Sequence, residues 1–282
     1  MMTRFKRQHG FTLIEAIMVI VITGIIAGVV AVFIRSPVQG YFDMETRIEL
    51  SDTADTAMRR IGRDLRLALP NSVRPSGSST AIEFLQTRTG GRYRADVTGI
   101  AGVQGNALKP GEAAATTFDV LGDLTLGGRV KIDDLVYPAI DPLVVAYAVV
   151  YNLGIAGADA YNGDNSAAIK SATVNSITLK ASTTFPLASP GKRFQIVDTP
   201  VTYRCDLNAG TLTRHWGYAI TSAQANPPIG GTSALIAQGV SNCVFNYDQI
   251  NERYGLVSMR IWLTRNKETV SLYHEVHVNN VP

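Results

Sequence analysis

The first ten residues are polar and basic, with Arg4, Lys6 and Arg7 ahead of Gly10. Residues 11–34 then form one apolar block, with no charge at all between Ala16 and Ile34. As a helix rising ~1.5 Å per residue, that block is roughly 36 Å long, enough to cross a ~30 Å hydrocarbon core. Pro37 predicts a kink or an end to the helix. A second helical pattern runs over residues 41–69, where Ile48, Ala54, Met58, Ile61, Leu65 and Leu69 recur close to one stripe. Arg47, Glu49, Asp52, Asp55, Arg59, Arg63 and Arg66 occupy the other side, and Pro70-Asn71 stops the helix. This reads as a membrane helix that continues outward and lays an apolar stripe on a globular head.

From residue 76 onward the pattern changes to short apolar runs separated by Gly, Ser, Thr and Asn. Strands are predicted at 81–86, 143–151, 176–179, 193–197, 201–205, 211–220, 240–247, 256–264 and 269–278. Alternation is clearest where Val257, Met259, Ile261 and Leu263 interleave with Ser258, Arg260, Trp262 and Thr264. The turn Arg265-Asn266-Lys267-Glu268 would fold that strand back onto the next. Residues 99–128 are rich in Gly and Ala and predict irregular loops. The fold class is therefore α+β: a long N-terminal helix packed on an antiparallel β-rich head. Four segments follow: 1–10, the apolar helix 11–34, its amphipathic extension 35–70, and the head 71–282.

Composition narrows the function. A charged fraction of 17% and a net charge of +3 on 282 residues are too little to imply nucleic acid. Arg59, Arg60, Arg63, Arg66 and Arg74 form a basic run, but it lacks interleaved aromatics and is interrupted by Asp64, so a solvated face or a contact with an acidic partner subunit explains it better. Of the histidines, His9 precedes the apolar block. His274 and His277 are three apart on a predicted strand and so face opposite sides; His274 falls on the apolar side and reads as a core residue. No Gly-x-Ser-x-Gly elbow, phosphate loop or His-Glu-x-x-His occurs, and the chain reads as a non-enzyme without a cofactor. Asp159, Asn162, Asp164 and Asn165 surround Gly163 in an oxygen-rich loop that could hold calcium. It lacks a bidentate Glu, and an Asn-Gly turn explains it as well. Cys205 and Cys243 have no metal-type spacing; outside the cytosol they would form a disulfide, the alternative being two separate buried thiols.

Glu15 is the anomaly of the apolar block. A charge deep in a membrane costs about 2.5–3.5 kcal/mol on insertion scales, and a plain signal anchor leaves it unexplained. The positive residues ahead of the block keep the N-terminus cytoplasmic. The run Gly10-Phe11-Thr12-Leu13-Ile14-Glu15 resembles the prepilin leader of type IV pilins and type II secretion pseudopilins. That resemblance implies cleavage between Gly10 and Phe11 by a prepilin peptidase, N-methylation of Phe11, and a subunit-assembly role for Glu15. The partners implied are other pilin subunits of one filament and the inner-membrane assembly platform. The implied location is the inner membrane, with the head periplasmic, and then the cell surface. In a filament core the Phe11 amine is a buried cation, and a neighbouring Glu15 carboxylate would pair with it; the other reading is a carboxylate favoured near a helix N-terminus. Gly24 and Gly28 have the small-xxx-small spacing that lets membrane helices approach closely, or are ordinary membrane glycines.

The head resembles those of minor pilins at residues 68–74, 157–162, 189–194, 200–205 and 210–214, and its C-terminal strands are similar to those of minor pseudopilins. Two roles follow: an assembly or priming subunit of a pilus or secretion pseudopilus, or a tip adhesin binding a surface or glycan; aromatics such as Tyr161, Trp216 and Tyr218 could serve a sugar, and packing explains them equally well.

Overall fold

The computed structural model describes residues 10–97, 105–124, 145–248 and 254–282, and the side chains of all of these except 35 and 36. The chain forms two units, Met1–Glu49 and Leu50–Pro282. One helix, α1 (Leu13–Leu65), runs through the division.

In the first unit the apolar side chains of α1 are exposed throughout, from Phe11 to Ile34. The helix is long and apolar enough to cross a membrane. Pro37 lies inside it and does not end it. A proline removes one N–H and crowds the carbonyl four residues earlier; the turns on either side keep their own bonds, so the helix resumes without a new nucleus. Thr23 donates its hydroxyl to the Val19 carbonyl at 2.7 Å, which satisfies a polar group inside an apolar run.

In the second unit α1 buries Leu50, Ala54, Ala57, Met58, Ile61 and Leu65, a stripe at spacings of three and four. Burying Met58, Ile61 and Leu65 stabilises the head by about 1.5–3 kcal/mol each. Ile48 is not part of this stripe and is exposed, because six positions before Ala54 is off the helical period. The helix also ends earlier than its pattern suggests. The amides of Leu67 and Ala68 bond to the carbonyls of Asp64 and Leu65, a tight last turn, and Asn71 takes a left-handed φ of 57°. Leu67 to Leu69 then run beside the second strand of the head: Thr87 N–H donates to Leu67 O and Leu69 N–H to Leu85 O, both at 2.7 Å.

Twelve strands follow among the described residues. They are β1 (Arg74–Pro75), β2 (Ala81–Tyr93), β3 (Ala115–Leu121), β4 (Tyr147–Val149), β5 (Ser166–Ala172), β6 (Ser176–Thr183), β7 (Arg193–Asp206), β8 (Thr211–Trp216), β9 (Thr232–Gln238), β10 (Val240–Asn246), β11 (Leu256–Arg265) and β12 (Glu268–His277). The first nine form one sheet in the order β1-β2-β3-β6-β5-β4-β7-β8-β9, and β10-β11-β12 form a separate antiparallel meander. A further β2–β7 pairing closes the circuit β2-β3-β6-β5-β4-β7 on itself. Inside it lies one core, including Tyr93, Phe118, Ile169, Ile177, Phe185, Phe194 and Ile196. A second core lies where α1 meets both sheets, with Ile61 and Leu65 among Phe84, Val201, Tyr203, Met259 and Ile261.

The two long strands β2 and β7 take part in both cores. Their outer parts, at Ala81↔Arg204 through Leu85↔Pro200, cover the helix; their inner parts, at Thr87↔Val197 through Arg92↔Arg193, close the small barrel. Register shifts fall between Leu85 and Thr89, at the change of direction. Pro200, which has no amide to donate, sits at that irregularity. Residues 193–197 and 201–205, separate strands by pattern, are thus one strand bent at a bulge.

The C-terminal hairpin follows its sequence pattern. Asn266 and Lys267, at φ 52° and 71°, make the two-residue turn, and Arg265 pairs with Glu268. Val257, Met259, Ile261 and Leu263 are buried. Elsewhere the pattern misleads. β3 lies within 99–128, where irregular loops were expected, because barrel pairing buries its Ala115, Phe118 and Val120; 99–104 and 125–128 lie outside the described residues. The strand expected at 143–151 is reduced to Tyr147–Val149, with 143 and 144 not described. The strand expected at 211–220 ends at Trp216, before the left-handed Gly217.

Candidate functional site

Gly10, Phe11 and Glu15 lie at the start of α1; residues 1–9 of the expected leader are outside the described residues. The helix opens on Thr12, whose Oγ1 accepts the Glu15 N–H at 3.4 Å while its carbonyl accepts the Ala16 N–H at 3.2 Å. Thr12-Leu13-Ile14-Glu15 is the S/T-x-x-E capping pattern directly before an apolar run, a signal readable from sequence but passed over above. The cap defines where the helix begins, and that places Glu15 in its first turn, where the macrodipole favours a carboxylate. Its side chain is exposed, and among the described residues none pairs with it. Phe11 is 84% exposed. Gly24 and Gly28 lie on open surface as well: no atom would come within 4 Å of a Cβ at either.

Three constructions hold the second unit together. The first is covalent: Cys205 on β7 is bonded to Cys243 on β10, with Cα atoms 6.5 Å apart. Both are buried, and the bond staples the nine-stranded sheet to the meander on either side of α1. The second is ionic. Asp64 of α1 turns inward, where its Oδ2 accepts Tyr203 OH and Arg214 Nε, each at 2.8 Å. Burial and the adjacent Asp64 carboxylate push the Tyr203 hydroxyl well above its ordinary value.

The third is a clamp around Arg74. Its guanidinium lies 3.5 Å from the ring centroid of Tyr161 and donates to Glu83 at 3.1 Å, Thr221 O at 2.9 Å and Ser222 O at 2.6 Å. Arg74 is thus held in the head and does not continue the basic run of the helix. Glu83 is 2% exposed, and burial raises its carboxyl above the ordinary 4.5 more strongly than Arg74 lowers it. A folded-state value above the unfolded one means that the folded chain binds the extra proton first. Stability from this group therefore rises as pH falls from neutral toward about 4.5 and is flat below. Glu83→Gln should remove that contribution, seen as a shallower pH dependence of the urea midpoint between pH 7 and 4.5.

This clamp also takes Tyr161 out of the expected sugar platform. Tyr161 is buried with its hydroxyl donated to Ser72 O at 3.0 Å, Tyr218 bonds Thr202 at 2.6 Å, and Trp216 is half-buried with the Arg214 guanidinium 4.9 Å from its ring centroid. Tyr161 is a packing residue, whereas Trp216 and Tyr218 are both bonded within the head and keep part of their surface.

The oxygen-rich loop is likewise turned on itself. Asp159 Oδ1 accepts the Tyr161 N–H and Asp164 Oδ2 the Gly157 N–H, both at 2.9 Å. Asn162 is exposed, whereas Asn165 is buried and donates to Tyr151 O and Asn152 Oδ1. Among the described residues no group of three or more His, Cys, Asp or Glu is arranged to hold a metal. His274 is a correction too: it is on the helix-facing side of β12 but only half-buried, and it walls an open groove with Arg59, Arg63 and Arg66 of α1.

Residues 5–31 match the prokaryotic N-terminal methylation motif. Neither a curated protein nor a solved structure matches the chain. The motif supports a type IV pilin or pseudopilin, a class that is membrane-anchored, processed by prepilin peptidase and assembled with other pilins.

Proposed function

We propose that this chain is a minor pilin of a type IV pilus, an assembly, priming or tip subunit most like the O-type minor pilin of the mannose-sensitive haemagglutinin pilus. The observation that carries the reading is the methylation motif on a helix whose apolar block up to Ile34 is exposed, with Glu15 in its first turn. Such a surface needs a membrane before assembly and a bundle of like helices after it. Residues 1–10 are the leader, removed between Gly10 and Phe11, and Phe11 is then N-methylated. Residues 11–34 form the filament core, 35–70 the extension, and 71–282 a head that faces the periplasm and later the cell surface. The head's resemblance to minor pilins supports this choice over a J-like minor pseudopilin.

Deleting the coding sequence should abolish or sharply reduce surface filaments, counted by electron microscopy, and the mature chain should begin at a methylated Phe11 by mass spectrometry. Intact filaments with a lost type II secretion phenotype would instead identify a pseudopilin. A mature chain that does not begin at Phe11 would overturn the reading.

A further inference from the structure

Among the described residues β12 pairs with β11 alone, so its other edge is free. Its register with β11 is unbroken from Arg265↔Glu268 to Leu256↔His277. The two-residue turn makes Arg265 and Glu268 a hydrogen-bonded pair, so the even-numbered residues of β12 direct their N–H and C=O groups to β11. The bond from Val278 N–H to Gly255 O continues that parity. Thr269, Ser271, Tyr273 and Glu275 therefore turn their backbone groups outward, away from the sheet. Proteins ordinarily blunt such an edge with Pro, Lys, a bulge or short length. None of these occurs in Thr269-Val270-Ser271-Leu272-Tyr273-His274-Glu275-Val276, which is rich in strand formers.

The space beside this edge has a chemistry of its own. The even-numbered side chains face α1: Val276 is buried, and Val270, Leu272 and His274 are half-buried. Gly62 lets the helix come close, since a Cβ there would lie 3.2 Å from Val276 Cγ2 and 3.4 Å from His274 Nε2. Beside that contact a groove of about 750 Å³ opens between His274 and the flank of α1 that carries Asp55, Arg59, Arg63 and Arg66. Arg59 is held by Asp55 at 2.6 Å. Arg63 and Arg66 are exposed and meet no carboxylate among the described residues.

A strand added to the free edge would lie about 4.8 Å beyond β12, along this groove, and turn every second side chain into it. The two unpaired guanidinium groups there select carboxylates. We propose that β12 takes up an extended acidic segment of a partner protein as a fourth strand of the meander. The backbone of that segment pairs with Thr269, Ser271, Tyr273 and Glu275, and its alternate Asp or Glu side chains meet Arg63 and Arg66. Main-chain bonds then supply affinity and the arginines supply specificity. Edge and groove both belong to the head, and the pairing does not rest on the reading of the N-terminal motif.

The test uses the full chain in detergent micelles and a synthetic peptide alternating glutamate and threonine over about nine residues, the length of one strand. On adding the peptide, amide hydrogen exchange read by NMR should slow about tenfold or more at Ser271, Tyr273 and Glu275. It should stay unchanged at Leu272 and His274, whose amides β11 already holds. Lysine in place of the peptide's glutamates, or Arg63→Glu with Arg66→Glu in the chain, should weaken binding about tenfold, as a few exposed ion pairs allow. Methylating every backbone nitrogen of the peptide leaves its charge intact and should abolish the protection. Exchange unchanged at about millimolar acidic peptide, or equal binding of the glutamate and lysine peptides, overturns the proposal. Protection of the same three amides without peptide, deepening with protein concentration, assigns the edge to a second copy and overturns the acidic partner.

Discussion

Glu15→Ala should leave a chain that is inserted and processed normally but enters filaments at least a hundredfold less often. The substitution spares the helix, because the Thr12 cap bonds the backbone N–H of residue 15 and not its side chain. On the assembly reading proposed above, what it removes is a counter-charge. In a bundle of apolar helices the amine of a processed Phe11 has no water, and an uncompensated buried charge costs about 3–5 kcal/mol, a factor of about 10² to nearly 10⁴ in equilibrium. Quantitative immunoblotting of sheared filaments against membranes reads the ratio directly. Glu15→Gln, which keeps hydrogen-bonding capacity without charge, should fall between the two. Wild-type incorporation of the alanine variant would show that the carboxylate serves only the first turn of its own helix.

The second large effect lies in the head. Reducing the Cys205–Cys243 bond, or replacing both residues by alanine, should lower unfolding stability by about 4 kcal/mol for a loop of 38 residues. Domains are typically stable by only about 5–15 kcal/mol, so this is a large share. The bond also holds two sheets around α1, and its loss should loosen the packing of Ile61 and Leu65 as well as shift the midpoint. Urea titrations with and without dithiothreitol measure the difference. The double alanine variant should be insensitive to the reductant; a wild-type midpoint that does not move on reduction would remove the staple from the account.

Legibility in the sequence followed the strength of local pattern. The apolar helix with its glutamate, the stripe through Ala54, Met58, Ile61 and Leu65, and the β11–β12 hairpin could all be read, because each buries one face at one period. β5 and β9 could not. Ser166 to Ala172 is almost all Ser and Ala, too small to show alternation, and it becomes a strand through its neighbours β4 and β6. β9 leaves Leu235 exposed and Ala237 buried, the reverse of what side-chain size suggests. The candidate site divides in the same way. Gly10, Phe11 and Glu15 stand out by spacing alone, whereas the Arg74 clamp joins residues from four distant segments, including Glu83, Tyr161 and Thr221, and leaves no trace in any one of them. That is why Arg74 looked like part of a surface run and Tyr161 like a free aromatic.

The bonds that hold residues 67–69 against β2 bear on how the head withstands tension. A pull carried by the buried stripe of α1, from Leu50 to Leu65, passes on through the Leu67–Thr87 and Leu69–Leu85 backbone bonds that tie the end of the helix to β2. From β2 the force passes into its long ladder with β7, and from there through a covalent bond into β10. Force entering the head through its helix is therefore carried onward by a paired sheet and a covalent bond, not by side-chain packing alone.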